Sequence, residues 1–200
     1  ALLVAAVGAG IFGAAWAAIP AYLQAKRGSH IVITTIMFNF IAAAVLNYML
    51  VSVLKPKGAM DPATAKFPES TQLPSLHEIL APIGIEFSKS APANVTLFVG
   101  IAACIVIWGL IWHTPLGHEI RALGKSERGA VYAGISPVRT VMITMLISGA
   151  LCGLMATNNV MGEAERLVLN ATEGAGFIGI AVALMGRNHP FGVFLAAILF

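Results

Sequence analysis

Apolar runs alternate with short polar interruptions along this chain, and several runs extend for about twenty residues. They occupy about 1 to 25, 31 to 54, 95 to 112 and 137 to 158, with a shorter run at 174 to 186 and another opening at Phe191. A bilayer crossing takes ~20 apolar residues. Because the hydrocarbon core offers the backbone no water, each run must satisfy its own N–H and C=O groups, which predicts helix throughout. The predicted fold class is all-α, a polytopic transmembrane helical bundle of about five to six membrane segments. Thr114-Pro115 and Ser136-Pro137 each pair a capping hydroxyl with proline at the first helical position, marking two helix starts. Pro20 removes a backbone donor and is expected to kink or end the first span. From 174 to 186 a helix would rise only ~20 Å, against a core of ~30 Å. Gly174, Gly176 and Gly179 there fit a broken or re-entrant segment packed near a pathway. The same glycines match G-x-G-x-x-G, but no strand precedes them and no acidic residue follows ~20 positions on, so a nucleotide site is not expected.

Composition sharpens this picture. The chain is 58% hydrophobic and 10% charged, where soluble domains carry about 25% charged residues. It opens inside an apolar run without an initiator Met and stops inside another. It is therefore read as a single transmembrane domain spanning 1 to 200, a fragment incomplete at both ends. The opening run lacks the basic start and small-residue cleavage site of a signal peptide. Cys104 and Cys152 sit in apolar runs without metal-binding spacing and read as small core residues.

Placement of charge sets the expected orientation, since short cytoplasmic loops carry the excess of Lys and Arg. With 113 to 136 inside, alternation also puts 26 to 30 and the loop at Arg187 inside. That side then holds seven basic residues (Lys26, Arg27, Arg121, Lys125, Arg128, Arg139, Arg187) and two acids (Glu119, Glu127), a balance of +5. Outside fall Lys55, Lys57, Lys66, Lys89 and Arg166 with Asp61, Glu69, Glu78, Glu86, Glu163, Glu165 and Glu173, a balance of −2; together these make the chain's +3. A charge this small and this dispersed excludes a nucleic-acid-binding surface. The Pro-rich stretch 55 to 94 is expected to be an extracytoplasmic loop with a short helix at Leu76 to Leu80, too short to bury a core of its own.

The stretch "RALGKSERGAVYAGI", 121 to 135, is the main polar interruption. Buried at the bilayer centre, Glu119, Arg121, Lys125, Glu127 and Arg128 would cost on the order of 15 kcal/mol, so they lie in water or against another protein. At helical spacing Leu116, Ile120 and Leu123 form an apolar stripe and Arg121, Lys125 and Arg128 a basic one. Gly124 is expected to break the helix, Ser126 to recap it and Gly134 to end it, giving two short helices. The pattern alone serves equally as a basic loop touching anionic lipid and as a docking site for a cytoplasmic partner.

Three ordered blocks break that tie. "TPLGHEIRALGKSERGAVYAGISPVRTVMITMLISGALCGLMA", "GSHIVITTIMFNFIA" and "GAGFIGIAVALMGRNHPFGVFLAAILF" together resemble the permease subunits of ABC importers. The likeness is to the ribose and branched-chain amino acid permease superfamily, and within it to the simple-sugar and nucleoside branch. The resemblance implies a bacterial or archaeal plasma-membrane protein that forms the translocation pathway for a small polar solute. It further implies a second permease subunit, two cytoplasmic ATP-binding subunits and an extracytoplasmic solute-binding protein as partners. The cytoplasmic segment of 113 to 136 would be the coupling loop, with Arg121, Ala122, Leu123, Gly124, Ala133, Gly134 and Ile135 at the ATPase contact.

Other constellations carry less. Thr35, Asn39 and Asn47 share one face of the second run, where polar residues commonly serve as interhelical hydrogen-bonding glue. Thr35, Asn39 and Glu173 are the candidates for a polar substrate pathway. Gly149 and Gly153 form a G-x-x-x-G that lets two helices approach. His77-Glu78 and the trio His113, His118 and Glu119 fit no zinc signature, so no metal site is expected. The triplets beginning at Asn94 and Asn170 match the glycosylation pattern, which is without consequence in a bacterium. Neither a phosphate-binding loop nor a catalytic triad occurs, so the chain is expected to be non-catalytic and to hold no cofactor. An ATP-independent secondary transporter or channel is the alternative. It calls for membrane-embedded carboxylates or charge rings, and 31 to 54, 95 to 112 and 137 to 158 contain no Asp or Glu.

Overall fold

The computed structural model describes residues 2–55, 63–67, 95–164, 166–168 and 174–199. The helix expected at Leu76 to Leu80 lies outside the described residues, as do His77, Glu78, Asn94 and Asn170. The elements are α1 (Leu2–Arg27), α2 (Ile31–Tyr48), α3 (Thr96–His113), α4 (Pro115–Lys125), α5 (Glu127–Tyr132), α6 (Pro137–Asn158), α7 (Ala175–Met185) and α8 (Pro190–Leu199). Two π-helical turns, Met49–Leu54 and Asn159–Glu163, prolong α2 and α6.

Among the described residues, four helices are long and apolar enough to cross a membrane: Leu3–Arg27, Ile31–Leu54, Thr96–His113 and Pro137–Gly162. Their bounds follow the apolar runs closely, because the length of each run is set by the bilayer rather than by local propensity. The short run is followed by a break, but Gly176 and Gly179 lie within one unbroken helix and the bend comes after Met185. α7 and α8 are bent by 118°, a broken span or a re-entrant loop. Pro20 does not end the first span, since the 26-residue α1 continues through it to Arg27. In hydrocarbon the freed carbonyl and the missing donor are tolerated where neighbouring groups compensate, and Pro20 is buried.

The chain divides into two compact units, Ala1–Pro74 with Pro137–Ala171, and Ser75–Ser136 with Thr172–Phe200. The first is built on the crossing of α1 and α6. Gly149 lies so close to α1 that a Cβ on it would stand 2.5 Å from the Ala17 Cβ and 2.6 Å from the Gly13 carbonyl oxygen. A Cβ on Gly153 would meet Gly10 Cα at 3.0 Å and the Ala9 carbonyl closer still. Ala9, Gly13 and Ala17 recur every fourth residue and so line one face of α1. Water-excluding force is absent between helices in lipid, and association depends on such close packing of small residues. The contacts run antiparallel, Ala9 to Gly153 and Ala17 to Gly149, so Lys26, Arg27 and Arg139 share one end of the unit. At the other end Ala63 and Val168 form an isolated antiparallel bridge. There the Thr64 amide donates to the Leu167 carbonyl at 3.1 Å, and the Leu167 amide donates to Thr64 Oγ1 at 3.0 Å.

In the second unit α3 and α4 form a sharp corner, and α7 and α8 a second. Gly186 permits the latter: its missing Cβ would strike the backbone of Gly192 and Val193. Arg187 (φ 53°) and Asn188 (φ 55°) then turn the chain through left-handed conformations. Their amides close back on the Leu184 and Ala183 carbonyls at 3.1 and 2.9 Å. The remaining faces of the long helices carry exposed Leu3, Phe12, Phe40 and Val106, among many others. Apolar surface on that scale is covered by lipid or by other proteins.

Two glycines of the first unit give contrasting expectations. Gly153→Ala overpacks the α1–α6 crossing and is expected to cost about 1–3 kcal/mol. Gly8→Ala has nothing within 4 Å of the new methyl and is expected to be neutral or to gain up to ~1 kcal/mol of helix propensity. Thermal unfolding of the two variants in detergent micelles checks the difference.

Candidate functional site

The polar stretch between α3 and α6 is built by a succession of caps. Thr114 adopts an extended conformation (φ −118°, ψ 154°) that stops α3, and its hydroxyl works in both directions. Oγ1 accepts from the Gly117 amide at 3.2 Å and donates to the Leu110 carbonyl at 2.6 Å. Gly117 is buried, and the Leu110 and Ile111 carbonyls occupy the place where a Cβ would stand. The Thr-Pro-x-Gly run therefore dictates the tightness of the α3–α4 corner, not only its position.

α4 carries the expected stripes. Leu116, Ile120 and Leu123 are half-buried, while Arg121, Lys125 and Arg128 are exposed. Gly124 does not break the helix as expected: α4 runs through it to Lys125. A single glycine costs only about 1 kcal/mol of helix propensity, and Ser126 provides a better place to stop. Its amide donates to the Ala122 carbonyl at 3.1 Å, closing α4, while its Oγ accepts from the Gly129 amide at 3.2 Å, opening α5. Gly134 (φ 80°) ends α5 as expected. The Ile135 amide donates to the Ala130 carbonyl at 2.9 Å and the Gly134 amide to Val131 at 3.0 Å. This doubled closure needs a left-handed residue at Gly134.

Of the residues expected at a partner contact, Arg121, Gly124, Ala133 and Gly134 are exposed, and Ala122, Leu123 and Ile135 are half-buried. Two neighbours were missed. Val131 is exposed, and Tyr132 is 93% exposed although Ala130 beside it is buried. An aromatic residue on a six-residue helix in a polar stretch was the available signal. The Tyr132 ring thus packs against almost nothing among the described residues.

Arg121 is itself held from within. Its Nε donates to the Gly117 carbonyl at 3.3 Å, and its guanidinium lies 5.8 Å from the centre of the Trp112 ring. Around Trp112 gather further rings. His189 is 4.9 Å away, Phe191 lies 5.8 Å from His189, and Trp108 lies 6.0 Å from Phe191 and 4.6 Å from His113.

The pathway candidates are less gathered. Thr35 spends its hydroxyl on its own helix, donating to the Ile31 carbonyl at 2.9 Å and the Val32 carbonyl at 3.1 Å. Asn39 and Asn47 are exposed, and α2 buries no side chain. Among the described residues, no hydrogen bond holds the exposed Asn39 amide. Glu173 lies outside the described residues. Sequence reading also missed the π-helical turns after Tyr48 and Asn158, a geometry common at functional sites. Apolar content conveys length but not hydrogen-bond register.

Comparison with known proteins gives one consistent answer. The family model described as "Branched-chain amino acid transport system / permease component" matches residues 1–200. The guanosine ABC transporter permease protein of Bacillus subtilis is 36% identical over 199 residues, covering 99% of this chain and 55% of that protein. The nucleoside ABC transporter permease protein of Lactococcus lactis is 34% identical over 192 residues (95% and 52%). The glucose ABC transporter permease protein of Haloferax volcanii is 30% identical over 190 residues (95% and 50%). The chain thus spans about half the length of the curated relatives it matches. No solved structure matches it significantly.

Loss of the shared cap is expected to loosen α5 alone. Ser126→Ala removes ~1 kcal/mol of capping, which corresponds to roughly fivefold faster amide exchange at Gly129 with little change in α6. Site-resolved hydrogen exchange measures both.

Proposed function

Because the chain belongs to the family of permease components of branched-chain amino acid transport systems, we propose that it forms the translocation pathway of an ATP-driven importer. Within the plasma membrane it is a multi-pass, non-catalytic subunit. Its substrate is a nucleoside or a simple sugar, in line with the guanosine, nucleoside and glucose permeases among its relatives. Its partners are a second permease subunit, two cytoplasmic ATP-binding subunits and an extracytoplasmic solute-binding protein. The observation that carries this reading is the family match along all 200 residues, and a capped, basic, exposed element over 115 to 132 supports the assignment of an ATPase contact there.

In this mechanism α4 and α5 lie along the cytoplasmic surface and the ATP-binding subunit grips them. Arg121, Lys125 and Arg128 steer the approach. Gly124, Ala133 and Gly134 leave room for close backbone contact, and Tyr132 is the large rigid anchor of the kind that dominates interface energetics. The stretch 55 to 94, most of which lies outside the described residues, is assigned to the extracytoplasmic side. ATP-driven closure moves α4, and two arrangements of the spans exchange around Asn39 and the polar face of α2. A ligand shifts that exchange only through its differential affinity for the two states.

Two expectations test this reading. In a reconstituted complex, Tyr132→Ala, whose side chain packs against almost nothing in the chain, weakens association with the ATP-binding subunit by about 2 kcal/mol, roughly thirtyfold in Kd. Uptake driven by an ion gradient with no ATPase present overturns the importer reading. For the pathway, Asn39→Leu is expected to lower uptake about fivefold, the value of one hydrogen bond, with unchanged assembly. Unaltered uptake removes Asn39 from the lining.

A further inference from the structure

The rings around Trp112 join two elements that the sequence separates widely. Trp108 and Trp112 stand one turn apart near the end of α3. Arg121 reaches back from α4 to the face of Trp112, and His189 and Phe191 come from the corner between α7 and α8. Every member lies in the second compact unit. Arg121 is doubly engaged, through the Gly117 carbonyl as well as the ring, and Gly117 is wedged against the end of α3. α4 is therefore joined to the end of α3 in two ways: by the close approach of Gly117 to the Leu110 and Ile111 carbonyls, and by the Arg121 guanidinium, oriented by its hydrogen bond within α4, over the Trp112 ring. His189, the next ring, closes the turn at the elbow, its amide donating to the Gly186 carbonyl at 3.1 Å.

The elbow itself is under tension. Arg187 and Asn188 are consecutive non-glycine residues in left-handed conformations. Such residues are disfavoured by contact of Cβ with the following carbonyl, and they persist only where their surroundings impose them. Gly186 pressed against Gly192 and Val193 and the amides that close back on the Leu184, Ala183 and Gly186 carbonyls supply that imposition from within the elbow, and the Trp112–His189 contact adds a restraint from α3.

We propose that Trp112 and His189 are a mechanical linkage, transmitting displacement of α4 to the α7–α8 elbow so that the half-helices reorient when α4 moves. The proposal rests on α4 being the element that the ATP-binding subunit moves. Trp112 and His189 are positioning residues that touch neither solute nor nucleotide.

One arm of the test needs no partner. In the full-length permease in lipid nanodiscs, Trp112→Leu and His189→Leu each raise amide exchange across 186 to 193 about fivefold, the worth of one ring contact, whereas Trp112→Phe does not. Unchanged exchange at the elbow overturns the linkage. The second arm uses the complete transporter with its binding protein and ATPase. There each Leu variant hydrolyses ATP near the wild-type rate but transports about fivefold less solute per ATP, and the double variant is no worse than either single one. Trp112→Phe restores the stoichiometry. Effects that multiply, or solute per ATP at the wild-type value, overturn the proposal. If the wild-type permease binds no ATPase, the importer reading fails, and the exchange arm still decides the linkage.

Discussion

Hydrocarbon cannot hydrate a charge or an open backbone group, and nearly every feature of this protein follows from that. It compels helix over each long apolar run, and it expels Glu119, Arg121, Lys125, Glu127 and Arg128 from the span that would otherwise continue past His113. It also withdraws the usual force that presses helices together. What remains is contact between backbones, which accounts for the glycine and alanine faces of α1 and α6. Arg121, by contrast, is stabilised by a carbonyl and an aromatic face at the point where the membrane domain meets water.

The spans were legible because their signal is long and redundant. A run such as 96–113 contains no residue that argues against a bilayer, and its bounds shift by one or two residues whichever positions are weighted. Single-residue signals fared unevenly. Ser126 and Gly134 act as read, since a hydroxyl before a helix and a glycine after it satisfy specific orphan groups. Pro20 and Gly124 do not interrupt their helices. Each raises the cost of helix by an amount that burial, or a better stop two residues on, outweighs. The π-helical turns after α2 and α6 leave no trace in composition, because their cause is the register of hydrogen bonds.

Much the same division holds for the site. The basic and apolar stripes of α4 were readable from a period of 3.6 residues, and the small residues at 133 and 134 from their identity. Tyr132 was signalled only by its residue type, since its exposure depends on which way the short α5 turns its face. The Trp112–His189 contact joins residues remote in the chain, and no local pattern foretells it. Thr35 shows the converse: polar residues at helical spacing share a face, yet its hydroxyl turns inward to its own helix.

The α1–α6 crossing has a further consequence for how the protein is made. Its two faces are separated by roughly 130 residues, on the order of 10 s of synthesis at ~5–20 residues per second. Through that interval α1 waits in the bilayer with Ala9, Gly13 and Ala17 facing lipid instead of their partner. Such a face gains its contacts only from a surface that comes as close to its backbone as Gly149 and Gly153 do. The closest packing of the first unit is thus reached only after the intervening residues have been made and α6 has entered the membrane beside α1.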